Sequence, residues 1–442
     1  MGILIGIGNT KPTFPYDYYY GVKIDLNVAD PALVRVGRPE LHVSLPVQSL
    51  MRRCLLNDEG KVTAYLHPTD STKTDTGAAV DLTGASGMVM VEIPKHYRKF
   101  EFDGQTVTAL ISLYPLPGFH EVPKMYRSAY EATVDRTVSA TPKLASVVNT
   151  TSAFRGGNDN AAYDGTYRTF LGLPATAISL TNFRKYVRNR GTAGLNGAGW
   201  NGDLYAAQLA TYWLYIIEYA NRDSQKAFNA EPTSEGYKQG GLGNGVTTWN
   251  SSEWDTYNGY YPVIPCGVTN SLGNRTGVVE HTVSNGDKIS KTFSVPSYRG
   301  IENPYGHIWS WTDGCKCEIQ SETDGGLAKF YVCDDPAKFQ DSSYNDYQQR
   351  GLLPRKEGYV KRMMIGEYGE NMPTEVGGNS ATYYCDHYYT KIPASGTAMM
   401  GVLFGGYATT GAYAGLSCTS TIHAAANTSA AVGSRLCFIP EA

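Results

Sequence analysis

Nowhere in the 442 residues does an uninterrupted apolar run reach the ~18 residues of a membrane-spanning helix, so no membrane insertion is expected. Nor is there an excess of one charge: 38 Lys and Arg against 41 Asp and Glu leave a net charge of −3. That balance gives no electrostatic footprint for nucleic acid or anionic lipid. Charged residues make up only 18% of the chain, below the usual ~25%. Eight cysteines are ordinary usage for this length and not a disulfide scaffold. Residues 1–8 (MGILIGIG) have no basic region and are too short for a secretory leader. They read as a first β-strand, in a chain that stays in its cell or leaves as part of a particle.

Motifs of catalysis are missing as well. There is no Gly-x-Ser-x-Gly and no His-Glu-x-x-His. The glycine run at 240–245 lacks the Gly-Lys-Ser/Thr ending of a phosphate loop. Cys315, Cys317, Cys333 and His307 lack the two-residue gap usual in zinc sites, and structural cysteines are the expected reading. Glu253/Asp255, Asp334/Asp335 and Glu367/Glu370 read as solvated turn residues rather than as a catalytic pair. No enzyme activity, metal or cofactor is expected.

What the chain does contain is 42% apolar residues, 33 Tyr and 48 Gly. The first figure supports a sizeable core. The others suit a loop-rich protein that touches a partner, because Tyr gives large, rigid, amphipathic contact area. Strands are expected at 21–28, 61–66, 88–93, 107–113, 307–311, 327–332, 402–404 and 436–439. Segments 278–283 and 288–295 flank a hairpin turn at 284–287. Thr181 is expected to cap a helix that stops at Gly191. Asp203 is expected to cap a second helix. There Leu209, Trp213, Ile216, Ile217 and Ala220 share one face, which reads as core. Two helices, many short strands and long loops define an α+β protein. The polar stretch 69–87 reads as a linker. A small β-rich N-terminal attachment module (1–85) and a larger domain (86–442) are therefore expected.

The C-terminal stretch stands apart. Residues 392–434, 43 positions, carry no Asp, Glu, Lys or Arg. The plain alternative is a flexible small-residue tail. Against it, the stretch ends in the apolar run Leu436-Cys437-Phe438-Ile439. Within 405–434, Gly, Ala and Leu are interspersed with Tyr, Thr, Ser, Ile, His and Asn, while Lys, Glu, Gln, Met and Trp are absent. Tyr, Thr, Ser, Ile, His and Ala are all reached from an Asn codon by changing its first two adenines. None of the five absent types is reachable that way when the third base stays a pyrimidine.

The run 405–416 (GGYATTGAYAGL), then Ala424-Ala425, then 433–438 (GSRLCF), resembles the variable region of diversity-generating retroelement target proteins. Residues 303–314 (NPYGHIWSWTDG) are similar to a Trp motif of the formylglycine-generating-enzyme branch of the C-type-lectin fold. Segments 88–95, 126–132 and 181–191 resemble phage tail and tail-fibre proteins, so the resemblance spans roughly 88–442. It implies a C-type-lectin-like fold with a variable ligand-binding segment at 405–434. The diversified positions it implies are Tyr407, Thr409, Thr410, Tyr413, Thr419, Thr421, Ile422, His423 and Ser429, with Ser420, Asn427 and Ala431 beside them. Trp309, Trp311 and Arg435 are implied as structural. His307 and Ser310 replace the calcium-holding residues of the enzyme branch, and its close cysteine pair is absent: Cys418 and Cys437 are 19 apart. The resemblance thus implies the fold without the oxidase chemistry.

The function so implied is that of a phage tail adhesin carried on the virion, bound to other tail proteins and to a bacterial surface receptor, protein or glycan. A homotrimer, held by the N-terminal part and the scaffold, is expected. The alternatives are an enzyme on the same fold, a formylglycine-type oxidase or a glycan-cleaving tail protein, and a bacterial display protein diversified by a retroelement. The side chains of Tyr407, Thr409, Thr410, Tyr413, Thr419, Thr421, Ile422 and His423 are expected to share one exposed face, with Leu416, Arg435, Leu436 and Phe438 buried.

Overall fold

The computed structural model describes residues 16–164, 168–191, 199–286 and 289–440. The strand expected at 1–8 lies outside them. The described chain is α+β: four α-helices among many strands, α1 (Pro39–Ser44), α2 (Leu180–Arg188), α3 (Tyr205–Tyr219) and α4 (Ser251–Asn258). None of them is long and apolar enough to cross a membrane.

Three sheets carry the fold. The first has five strands in the order Val34–Gly37, Tyr20–Asp25, Thr106–Ser112, His96–Phe102, His120–Val122. The second has seven: Gly199–Gly202, Leu436–Ile439, Met125–Ser128, Met88–Ile93, Arg52–Leu56, Val62–His67, Asp70–Thr74. The third has nine and is built on Trp309–Gln320. On one side lie Ala328–Val332 and Gln348–Leu352. On the other lie Thr397–Gly405, Gly415–Ser420, His387–Tyr389, Gly358–Ile365 and Glu370–Val376. The two-residue strand Val432–Gly433 pairs in parallel with Trp309 and Ser310.

These pairings correct the expected boundary at residue 85. Tyr20–Asp25 pairs with Thr106–Ser112, and Arg52–Leu56 pairs with Met88–Ile93 along its whole length. The stretch read as a linker contains the sheet strand Asp70–Thr74. Side chains repeat the message. Arg53 is fully buried and donates to Gly300 O at 2.7 Å, Ser71 Oγ at 3.0 Å, Asn270 Oδ1 at 2.7 Å and Thr269 Oγ1 at 3.0 Å. A buried guanidinium is stable only when most of its five donors are filled. The early strands therefore fold with the later ones.

The helices also start differently from expectation. Ser179, not Thr181, caps α2, its hydroxyl accepting from Asn182 N at 3.2 Å. Leu204 occupies the N-cap of α3 with no side-chain cap. Asp203 is instead drawn inward by Arg127, which grips it through Nε at 2.9 Å and Nη2 at 2.7 Å. Every residue of α3 except Ala206 is buried, so its apolar stripe is core on all sides. The Gly/Asn/Ser-rich region 236–274 contains α4, capped by Asn250, whose side chain accepts from Glu253 N at 2.9 Å. Trp249, Trp254 and Tyr257 form a satellite core there with Phe293, Val295 and Ala408.

Candidate functional site

The expected variable segment is anchored by its backbone. It leaves the sheet at Gly405 and Gly406, whose φ values of +99° and +77° favour glycine. A Cβ on Gly406 would lie 2.7 Å from that of Ala414. Ala408 is fully buried; its N–H donates to His307 O at 3.0 Å and its carbonyl accepts from Trp249 N at 3.0 Å. Gln225 Nε2 donates to Gly411 O at 2.9 Å and Ala414 O at 2.6 Å. Leu416 N–H donates to Ser224 Oγ at 3.0 Å, and Ser417 N–H to Asp386 Oδ2 at 2.8 Å. These bonds reach main-chain atoms of the segment, so they form whatever its outward side chains are.

On this frame the ten expected binding residues divide. Tyr413 is 41% exposed, and Tyr407, Thr409, Ile422, His423 and Ser429 are partly exposed. Thr410, Thr419, Ser420 and Thr421 are buried, and the single exposed face expected for them is corrected. Thr410 folds inward because its hydroxyl accepts from Tyr407 N at 2.8 Å and closes the loop. Thr419 and Ser420 lie mid-sheet: Thr419 pairs with Phe404 and Tyr388, Ser420 with Leu403 and Tyr389. The Thr421 hydroxyl lies within hydrogen-bond reach of Tyr389 O at 3.3 Å and Thr390 Oγ1 at 3.2 Å. Asn427 and Ser429 accept from main-chain Ala424 N and Ala431 N, at 2.9 and 3.3 Å. Leu416, Arg435, Leu436 and Phe438 are buried.

Three residues outside the segment complete a partly exposed aromatic face. Tyr413 packs its ring 5.2 Å from Tyr359 and 4.7 Å from His387. His387 lies 4.4 Å from Tyr389, and Tyr389 5.9 Å from Trp309 in an edge-on contact. Trp311, two residues along the same strand, meets His423 at 6.5 Å. Tyr407 approaches Trp254 at 6.3 Å. Both Tyr413 and Tyr407 lie close enough to Tyr389 to bear on its phenol, which burial raises. Burial lowers the pKa of His387 and of His423, so both rings are neutral near pH 7. The face carries no formal charge of its own; Glu357, which accepts from Thr390 N at 3.1 Å, is the charge that bears on His387. Tyr359, His387 and Tyr389 were not among the expected residues. The signal for His387 and Tyr389 is the run 383–389 (YYCDHYY), with four tyrosines in seven positions; Tyr359 has none.

Arg435 is 2% exposed and donates to three carbonyls: Ser128 O at 3.4 Å, Glu302 O at 2.5 Å and Asn303 O at 2.7 Å. Those carbonyls, rather than a carboxylate, satisfy it, and they tie the end of the segment to Met125–Ser128 in the second sheet and to the strand end at Glu302 and Asn303. His307 is a core residue. Its Nε2 accepts from Val263 N and Ile264 N, both at 3.1 Å, so Nδ1 carries the proton toward Glu131 Oε2 at 2.5 Å.

All eight cysteines are free and buried, Cys315, Cys317 and Cys333 among them. Among the described residues no three or more His, Cys, Asp or Glu side chains are placed to hold a metal. Glu253 pairs with Lys291 at 2.8 Å, and Glu370 lies 3.6 Å from Arg350.

Neither a family model nor a curated protein sequence matches the chain. Similar solved structures include three forms titled Major Tropism Determinant. The U1 variant is 11% identical with a TM-score of 0.25, the P3c variant 12% with 0.27, and the I1 variant 12% with 0.26. In each case 88% of this chain and 72% of the other are covered.

Proposed function

We propose that this protein is a receptor-binding adhesin of a phage tail, and that the aromatic face is where it meets a receptor on the bacterial surface. One observation carries the reading: outward side chains at 407, 409, 413, 422 and 423 ride on a loop whose bonds to the core run through its main chain. Such a site can change its surface without changing its fold. Tyr, Thr and His lose little conformational entropy on binding, which suits them to contact. In this reading the protein acts by binding and not by catalysis, on the virion, beside other tail proteins. It assembles as a homotrimer, which multiplies weak individual sites into avidity. Binding positions are Tyr407, Thr409, Tyr413, Ile422 and His423, with Ser429 at the margin.

The genetic half of the reading has a direct test. DNA around the gene is expected to hold a near-copy of the segment encoding 405–438, with adenines at the differing positions, beside a reverse transcriptase gene. A locus with neither would remove diversification from the account and leave binding to be tested separately.

A further inference from the structure

A short arm of chain, 221–225, meets the expected variable segment from outside it. It starts where Ala220 turns out of α3 with φ +49°. Asn221 Oδ1 accepts from Asp223 N at 2.8 Å, and Asp223 Oδ1 from Gln225 N at 2.9 Å. Side chains that bond the backbone two residues on fix its course. Ser224 O accepts from the buried phenols of Tyr215 at 2.9 Å and Tyr305 at 2.7 Å. The arm is thus fastened to the core before it reaches the segment. Its last residue, Gln225, meets the single turn Gly411–Tyr413, from which Tyr413 projects. That turn has no side-chain cap, and its own closures are long: Tyr413 N to Thr410 O at 3.3 Å and Ala414 N to Gly411 O at 3.2 Å. One isolated turn of this kind has little stability of its own. Gln225 Nε2 spans it, 2.9 Å from Gly411 O and 2.6 Å from Ala414 O. Two carbonyl oxygens fix the amide's orientation, because only its nitrogen can donate to both. Past the turn, Ser224 Oγ accepts from the N–H of buried Leu416 at 3.0 Å, a grip that does not involve Gln225.

We infer that Gln225 is a positioning residue of the receptor face. By holding both ends of the turn it keeps the Tyr413 ring against Tyr359 and His387, at 5.2 and 4.7 Å, and so raises affinity without meeting the receptor itself. This inference rests on the adhesin reading above. A contact side chain that is ordered before the encounter loses less freedom on binding. Gln225 bonds to main-chain oxygens, so it serves whatever side chain stands at 413.

The test pairs hydrogen exchange with a binding cycle, both on the full chain. Gln225→Glu keeps the length of the side chain and, ionised near pH 7, removes its donors. Exchange at amides 411–416 is expected to quicken about tenfold, as loss of two neutral hydrogen bonds does. The strand Leu436–Ile439 is expected to stay as protected as in wild type, which shows that the fold is kept. Host-cell binding is expected to fall about tenfold in Gln225→Glu, but by less than about twofold when the same change is made in Tyr413→Ala. A direct receptor contact, or a general loss of structure, would add to Tyr413→Ala in full. The inference is overturned if exchange at 411–416 does not change, or if the loss of binding is as large in the Tyr413→Ala background. Should Gln225→Glu fail to fold, Gln225→Ala is judged by the same two measures. Equal cell binding by wild type and Tyr413→Ala would overturn the adhesin reading of Tyr413 instead, and the exchange result would still decide whether Gln225 sets the turn.

Discussion

Arg435 holds the closing end of the segment by donating to three carbonyls, those of Ser128, Glu302 and Asn303. Arg435→Ala removes these bonds from a dry site and is expected to cost about 3 kcal/mol or more. Arg435→Lys recovers only part of this, because an ammonium lacks the planar fork. Urea denaturation of the two variants measures both. Asp386 makes the complementary case. Burial raises its pKa well above the ordinary carboxylate range, against the pull of Ser417 N–H. An acid with a higher pKa folded than unfolded holds its proton more tightly in the native state. Its stabilising contribution is full below the unfolded pKa, ~3.9, and is lost as pH rises through the folded value. Asp386→Asn keeps an acceptor for Ser417 and is expected to flatten the fall of stability between about pH 5 and 8. Urea midpoints at the two pH values check this. A residual slope is expected from Glu302 and Glu370, which burial also raises. Arg435 was legible in the sequence because its neighbours form a closing motif with an apolar run. Asp386 was not, since nothing local shows that a carboxylate meets a main-chain N–H thirty-one residues away.

The strand Gly415–Ser420 shows why the segment could be read only in part. Its six residues are all buried, and a strand covered on both faces loses the apolar–polar alternation that would mark it. Thr419, Ser420 and Thr421 therefore looked like surface residues. Thr419→Tyr is expected to overpack the sheet at a cost of about 1–3 kcal/mol, where Thr409→Tyr costs almost nothing; thermal melts separate the two. The fixed part of the face escaped for another reason. Tyr359 and His387 come from strands paired at Tyr359↔His387, and Tyr389 is brought beside Ser420 by a parallel pairing. Such juxtapositions depend on register between distant segments, which composition cannot supply. His387→Ala is expected to weaken cell binding by about tenfold, as loss of a central aromatic contact does, while the circular dichroism spectrum stays native.

At the scale of the molecule, strand existence was largely legible: 88–93 and 436–439 match Met88–Ile93 and Leu436–Ile439 residue for residue. Partnership was not. The polar stretch near residue 80 looks like a joint, yet the sheets run through it. A fragment beginning at residue 86 would leave Met88–Ile93 and Thr106–Ser112 with unpaired edges, and is expected to show no cooperative urea transition. The trimer is checked by light scattering of the full chain; a monomer at micromolar concentration contradicts it.

The central claim is that the face is carried by a frame indifferent to it. Its most direct test replaces Tyr407, Thr409, Tyr413, Ile422 and His423 together by Ala, then measures melting temperature and host-cell binding on the same sample. The account predicts a nearly unchanged melt, since exposed substitutions usually stay within about 0.5 kcal/mol each, and loss of binding. A variant that unfolds, or one that melts normally and still binds cells as wild type does, contradicts it.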